Sequence, residues 1–536
     1  MAYATVTSLV TTLELLLTQT NSGQAKKAKA LNPQIESLRE KVRSLQALLE
    51  TLDNINDVEA VKHRETKIKL AVHDAEDRIE SILEQLYPSI DQEVHEEAYE
   101  RIFGSLQQAS KSMDSEREEL QRSMQNSLQA TSSLARSFVL PERSSQLENI
   151  MVGHEIEVED MKSQLMMRTS SNEREVVAIV GMGGIGKTTF TSRVYNDPLI
   201  EAYFDIRAWT TMSKEYCIRK MLLELLHCIK DVTHEEEEEE EDVSPGKREK
   251  DQAELLKKES EKTDGDLAAE LKKKLQRRMY LVVIDDIWST KAWDDISQWF
   301  PDYKGSQILL TTRCGDVASY AAPGKSPHQI SLLNPTESWK LFQDKILVNE
   351  EQLPPELLEI GKKIAYNCQG LPLIIVVVTG LLSKCNNALD KWKHVEQNVK
   401  SALFEDRHQQ CEKVLALSYY YLPQHLKACF LYFAVFPEDA EVHANKLIKL
   451  WVAEGFLKKA ANKSLEDVAE EYFNELIGRN LVFISRHNFY GKVKTCKIHD
   501  LLHEFCLREA QRENFLCVIV RDDNRASSAS SQSSFS

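Results

Sequence analysis

The stretch Val176-Val177-Ala178-Ile179-Val180-Gly181-Met182-Gly183-Gly184-Ile185-Gly186-Lys187-Thr188-Thr189 decides the fold. Its apolar, mostly β-branched start reads as a buried strand, and it runs without interruption into G-x-x-x-x-G-K-T, the pattern of a phosphate-binding loop that opens a helix. Gly181, Gly183, Gly184 and Gly186 permit a tight turn in which successive N–H groups point at one anion. Lys187 is placed to reach the β- and γ-phosphates and Thr188 to ligate Mg²⁺, with Thr189 completing the motif at the helix start. A plain glycine turn between strand and helix does not require the Gly-Lys-Thr triplet. The stretch therefore predicts a nucleotide site.

Downstream, Leu281-Val282-Val283-Ile284-Asp285-Asp286 is a second buried strand ending in carboxylates. In P-loop proteins a carboxylate at such a strand end holds Mg²⁺ beside the loop hydroxyl, which makes Asp285 the expected metal partner of Thr188, with Asp286 beside it. Ser306 to Thr312 is a further strand, followed by Arg313, a candidate sensor of the γ-phosphate. Phe204 to Thr210 adds another strand and Tyr216 to Ile229 a helix. Alternating strands and helices predict a doubly wound parallel α/β sheet with its ligand at the strand carboxyl ends.

At 536 residues the chain exceeds what one hydrophobic core supports. Its formal charge of −17 argues against nucleic acid as a general partner, because non-specific binding depends on Lys and Arg neutralising phosphates. The ten cysteines form no Cys-x-x-Cys pair, which suits reduced thiols in an intracellular compartment. The longest apolar run, Leu371 to Leu382, contains Pro372 and Gly380 and is shorter than the roughly 20 residues of a bilayer span, so it reads as a buried helix.

The first 131 residues are helical in period. Val6, Leu9, Leu13 and Leu16 share one face, and Ile35, Leu38, Val42, Leu45, Leu49 and Leu52 recur in steps of three and four. Such a short seam fits an antiparallel bundle of about four helices better than a two-stranded coiled coil, although both use the same stripe. Glu76-Asp77-Arg78-Ile79-Glu80 reads by its chemistry as a solvated acidic face. Residues 132–149 have linker composition. Seven consecutive glutamates, Glu235 to Glu241, mark an acidic insertion of about 233–264 that cannot bury apolar area and is expected to be disordered. Beyond residue 332 the strands stop, and Thr336 to Phe342, Pro355 to Asn367, Leu373 to Lys384 and Trp392 to Leu403 read as four helices. Further helices follow from Cys411, then two β segments around Asn488 to Gly491, the pattern of a winged helix, and a Ser-rich tail over 522–536.

The phosphate loop, Leu-Val-Val-Ile-Asp-Asp-Ile-Trp, Leu-Leu-Thr-Thr-Arg, Gly370-Leu371-Pro372-Leu373, Cys429 to Pro437 and Ile498-His499-Asp500 occur in this order. Together they resemble the NB-ARC module of plant intracellular immune receptors. The N-terminal helices resemble the coiled-coil class, with Glu76 to Glu80 at its acidic motif, and the nearest likeness is to Rx-like solanaceous proteins of the late-blight-resistance type. The resemblance implies a multidomain α and α/β protein: a coiled-coil-type bundle over 1–131, the P-loop domain over 150–331, a helical ARC1 domain over 332–410 and a winged-helix ARC2 domain over 411–521. It implies a nucleotide switch that is closed with ADP and open with ATP, with Mg²⁺ and slow hydrolysis involving Asp285, Asp286 and Arg313. Pro372 would lie near the adenine and His499 would contact the β-phosphate of ADP, where the residues alone favour a capping or core histidine.

The resemblance also implies a cytoplasmic location with a peripheral-membrane or nuclear pool, helper proteins engaged through the bundle, oligomerisation on activation, and a hypersensitive response. The family's Gly-Arg-Glu is here Gly153-His154-Glu155, and its Met before His-Asp is Ile498. No leucine-rich repeat spacing follows residue 520, so the chain reads as a receptor lacking the repeat domain that would otherwise be an internal partner. Two other functions remain: a processive remodelling ATPase, and a DNA-binding regulator using the winged helix.

Overall fold

A computed structural model describes residues 2–22, 31–51, 58–86, 92–128, 151–167, 172–214, 216–234, 262–346, 353–384, 389–402, 406–458, 463–488 and 491–516. The linker, the glutamate run and the Ser-rich tail lie outside these residues.

The N-terminal helices are Ala2–Ser22, Asn32–Thr51, Val58–Leu86 and Gln92–Leu128. Their stripes meet in one core, where Leu9, Leu13, Leu38, Val42, Leu45, Val72 and Ile79 are fully enclosed. A bundle buries these faces within one chain, which a coiled coil would leave to a partner. One expectation is corrected here. Glu76 is not on a solvated face: it is 8% exposed and accepts hydrogen bonds from Ser8 Oγ at 2.6 Å and Thr12 Oγ1 at 3.4 Å. A carboxylate can be buried when hydroxyls of the facing helix replace its water. Asp77 and Arg78 remain exposed.

The central domain is a five-stranded sheet in the order β2-β3-β4-β1-β5, with β1 Glu175–Val180, β2 Ile206–Thr211, β3 Tyr280–Ile287, β4 Gln307–Thr312 and β5 His328–Gln329. All pairings are parallel, with Val177 opposite Leu309 and Val283 opposite Leu309 from the other side. Successive residues of β1 face opposite layers: Val177 and Ile179 join one core and Ala178 and Val180 another. Burial on both faces explains why the strands read as continuous apolar runs. The carboxyl ends of β1, β3 and β4 consequently open on one edge.

Three boundaries differ from expectation. Phe204 closes the short helix Pro198–Tyr203 and β2 begins at Ile206. The helix expected from Tyr216 begins at Ile218 and runs to His234. The expected insertion ends early, because Thr263 and Asp266 form a capping box that starts the helix Asp264–Leu275.

Four helices follow the sheet: Pro335–Ile346, Pro355–Asn367, Pro372–Ser383 and Leu389–Ser401. The Pro372–Ser383 helix is apolar nearly all round and almost wholly enclosed. Next come the helices Arg407–Tyr420, Gln424–Leu431, Ala444–Ala453 and Leu465–Gly478, then the antiparallel hairpin β7 Phe483–His487 and β8 Val493–Lys497. The two-residue strand β6 Val442–His443 joins the far side of β8, and the helix Asp500–Arg512 follows. One apolar core runs from the β1 face through the helical module into the winged helix. Among the described residues no helix is long and apolar enough to cross a membrane, and eight cysteines are unpaired.

Candidate functional site

The turn after β1 has Gly184 at φ 76° and Gly186 at φ 101°, backbone that favours glycine. Lack of side chains matters as much as torsion. A Cβ at Gly184 would lie 2.7 Å from Leu373 Cβ, and one at Gly183 would lie 3.0 Å from Arg313 Nη1 and 3.1 Å from Leu501 Cδ1. The helical module and the winged helix therefore close directly onto the loop. Leu373 N–H donates to Gly184 O at 3.2 Å, while Gly370, at φ 74°, passes so near Leu333 that a Cβ would meet its carbonyl oxygen at 2.2 Å.

Lys187 begins the helix Lys187–Tyr195 and folds back, its Nζ donating to Gly181 O at 2.9 Å and Met182 O at 3.2 Å. Burial pushes its ammonium down to about 8, with nearby Arg313 adding to the shift and Asp286 and Asp285 opposing it. Thr188 Oγ1 donates to Asp285 Oδ2 at 2.8 Å, and Thr311 Oγ1 donates to Asp285 Oδ1 at 2.6 Å. Burial raises the Asp285 carboxyl against these two hydroxyl bonds. Asp286 takes a left-handed φ of 60°, and its carboxylate is 3.6 Å from Arg313.

Arg313 faces two ways. Its guanidinium lies 4.6 Å from the Trp288 ring centre and forms an ion pair with Asp500 of the winged helix. His499 occupies the N-cap of the Asp500–Arg512 helix, its Nδ1 against the Asp500 carboxylate and 3.2 Å from Leu501 N–H. Nε2 is thus the nitrogen left for a ligand. Burial and the cations Arg313, Lys187 and Lys497 push the imidazole down to about 3, so it is neutral.

These groups surround one cavity of about 270 Å³. Lys187, Thr188, Thr189, Asp285, Asp286 and Arg313 line its polar end, and Val152, Ile330, Leu333, Leu341, Pro372 and Leu373 its apolar end. The winged helix adds Asp439, Lys497, Ile498, His499 and Asp500. Every candidate residue from the sequence lies in or against this cavity, Gly181 and Gly183 through the loop itself. Asp439 and Lys497 were not singled out in the sequence, since nothing in their local pattern separates them from ordinary surface charge.

The fit to a nucleotide rests on charge and shape. Three cations, Lys187, Arg313 and Lys497, converge where the glycine turn leaves room for phosphates, and the apolar end accepts a base. The paired Thr188 and Asp285 oxygens suit a hard cation that keeps water and phosphate as its other ligands. Mg²⁺ there would supply charge neutralisation on the phosphates.

The NB-ARC domain family model matches residues 154–352, and that of the disease resistance protein winged helix domain matches residues 435–506. This chain carries an NB-ARC domain and a disease resistance winged helix. Two late blight resistance protein homologues of Solanum demissum are similar to it, one 38% identical over 391 residues, 73% of this chain and 28% of the relative. The other is 37% identical over 385 residues, 71% of this chain and 26% of the relative. The chain thus spans about a quarter of the length of the curated relatives it matches. A signal transduction ATPase with a tetratricopeptide repeat sensor from Pyrococcus horikoshii overlaps 68% of this chain and 43% of its own, at 16% identity and a TM-score of 0.40, too loosely to carry weight. The NB-ARC domain binds a nucleotide, and the cavity described above is where its phosphate loop opens.

Proposed function

We propose that this chain is the switch portion of a plant immune receptor, closed with ADP, open with ATP, and signalling through its N-terminal bundle. One observation carries the proposal: the phosphate loop, the helical module and the winged helix all line the same cavity. A ligand shifts an equilibrium only by its different affinity for the two states, so a nucleotide touching all three segments favours their closed arrangement. In that arrangement His499 Nε2–H donates to the diphosphate end, Lys187 and the loop amides hold the phosphates, and Pro372 and Leu373 border the base. Thr188 and Asp285 would hold Mg²⁺.

Arg313 supports a route to opening. Asp500 and Asp286 hold it now. A γ-phosphate, carrying more charge at that end of the cavity, competes for the guanidinium and loosens the Asp500 tie to the winged helix. The same geometry suits slow turnover, because Asp286 faces Arg313 instead of standing free to activate water.

The test is the nucleotide retained on purification, identified by chromatography after denaturation. ADP in the native chain and none in Lys187→Ala are expected, since the loop amides alone cannot offset the phosphate charge. Undiminished ADP in Lys187→Ala would overturn the assignment. Steady-state phosphate release on the order of 1 to 100 per second would instead indicate a motor enzyme.

A further inference from the structure

We propose that Trp288 is a positioning residue for Arg313: the face of its indole ring holds the guanidinium where it pairs with Asp500 of the winged helix. This inference rests on the nucleotide switch proposed above and names what keeps its arginine in place.

The strands deliver the two residues side by side. Ile284 stands opposite Leu310 and Ile287 opposite Thr312, so β3 advances three residues while β4 advances two. The extra residue is a β-bulge, and Asp286 within it takes the left-handed φ of 60°. Thr312 Oγ1 closes the bulge by donating to Ile287 O at 2.7 Å. Trp288 and Arg313 are the next residues of two parallel strands in that register, so they leave the sheet as neighbours. Without the bulge the pairing from Ile284 would run on to set the aliphatic Ile287 beside Arg313. The bulge is what brings an aromatic ring to the arginine.

The guanidinium carbon of Arg313 lies over the ring at 4.6 Å from its centre, and Lys214 Nζ, from the segment after β2, lies over the same ring at the same distance. The Trp288 indole N–H and the Arg313 Nε are both buried with no hydrogen-bond partner among the described residues. A buried unpaired N–H is a cost, so the indole is not held here for its N–H. What it offers over an aliphatic side chain is the negative face of its π system. Arg313 in turn has no bond at Nε to fix the tilt of its guanidinium. Its orientation depends on the ring and on two carboxylates, Asp286 at 3.6 Å and Asp500. Arg313 lines the cavity and Trp288 does not, so the ring acts on a nucleotide only through the arginine. Lys214 competes for the same ring, but it is exposed, whereas the Arg313 side chain is 19% exposed. A partly desolvated cation gains more from a π face than one in water, so the hold on Arg313 is the stronger.

The experiment measures release of a fluorescent ADP analogue from the full chain. Trp288→Leu should speed release about twofold to fivefold, the scale of one cation–π contact, and Trp288→Phe, which keeps a weaker π face, should speed it less. In an Arg313→Ala background Trp288→Leu should add nothing, because the ring has lost the group it positions. Lys214→Gln should leave release at the native rate or slow it, since the ring then serves Arg313 alone. Should the Leu variant fail to fold, Trp288→Phe with and without Arg313→Ala carries the same comparison. Native release in Trp288→Leu, a speed-up that persists undiminished in Arg313→Ala, or a Lys214→Gln variant as fast as Trp288→Leu would overturn the role of Trp288 while leaving nucleotide binding intact. A folded native chain that takes up no ADP analogue sinks the nucleotide switch and this inference with it.

Discussion

Asp439 carries a charge that its surroundings oppose. Burial and the neighbouring Asp286 and Glu438 raise its carboxyl to about 6, and its Oδ2 has no hydrogen-bond partner among the described residues. An acid whose folded value lies above the unfolded value of about 3.9 costs stability when ionised, and the cost is relieved as pH falls through 6. Asp439→Asn should therefore stabilise the ligand-free chain by about 1 kcal/mol at pH 7.5, with the gain shrinking below pH 6 and gone near pH 4. Thermal unfolding at these pH values checks the sign. A gain that persists at pH 4 would mean that the effect is packing and not charge. His499 works in the other direction. Its imidazole is held near 3, so the closed arrangement loses stability as pH falls from the unfolded value of about 6.5 toward 3. His499→Gln should flatten that acid limb in the same ligand-free measurement.

At the scale of elements, two of the contacts that tie the modules can be tested directly. Gly380, inside the Pro372–Ser383 helix, lies where a Cβ would fall 1.9 Å from Arg479 O, at the end of the Leu465–Gly478 helix, and Asn480 Nδ2 donates to Val376 O at 2.8 Å beside it. Backbone cannot yield as a flexible side chain does, so Gly380→Ala should force the two helices apart and destabilise the fold by roughly 1–3 kcal/mol, read by denaturant unfolding. An unchanged midpoint would show that the crossing can open without loss. The bundle is tied through Glu65, which accepts from Lys427 Nζ at 2.9 Å and from Gln424 Nε2. Burial alone would raise this carboxyl, yet the cation and amide outweigh it and hold it low. Lys427→Met strands a buried carboxylate and should cost about 3–5 kcal/mol, whereas Glu65→Leu with Lys427→Met should recover most of it. A double variant as weak as the single one would mean that the pair is not coupled.

Long periodic elements were legible because burial imposes their spacing: Val6 to Leu16, Ile35 to Leu49 and the β1, β3 and β4 runs each appear in the sequence as they lie in the core. β5 and β6 were not, since two residues have no period. The Asp264–Leu275 helix was hidden by its Lys-rich outer face, although Thr263 with Asp266 was the available signal. In the site, Lys187 and Thr188 open a helix and Asp285 and Arg313 lie at the ends of β3 and β4, positions that motif spacing identifies, whereas Asp439 and His154 enter through tertiary approach. For Asp500, adjacency suggests that it orients His499 or ties the winged helix to its neighbours, and the structure gives it both tasks, naming Arg313 as the neighbour it holds.

For the whole molecule, that second task decides how the parts move. Arg313 belongs to the sheet and Asp500 to the winged helix, so their ion pair exists only while the two domains are closed. On the proposed reading His499, at the N-cap of the same helix, adds a ligand contact in the same state. Asp500→Val removes the Arg313 tie and the support of the imidazole together, and His499→Ala removes the helix cap and the proposed ligand contact while leaving the Arg313 tie. Each lost interaction with a charged group is worth roughly 1–3 kcal/mol, which corresponds to ADP leaving about 5 to 150 times faster. Arg313→Ala should lose the tie as well, and combining it with Asp500→Val should add little, because the two variants break the same pair. The measurement is the off-rate of a fluorescent ADP analogue across the three single variants and the double. In a full-length receptor, His499→Ala and Asp500→Val should signal without a pathogen, since both favour opening. Off-rates equal to the native value in both would remove His499 and Asp500 from the switch and leave them as the cap and the first turn of a helix.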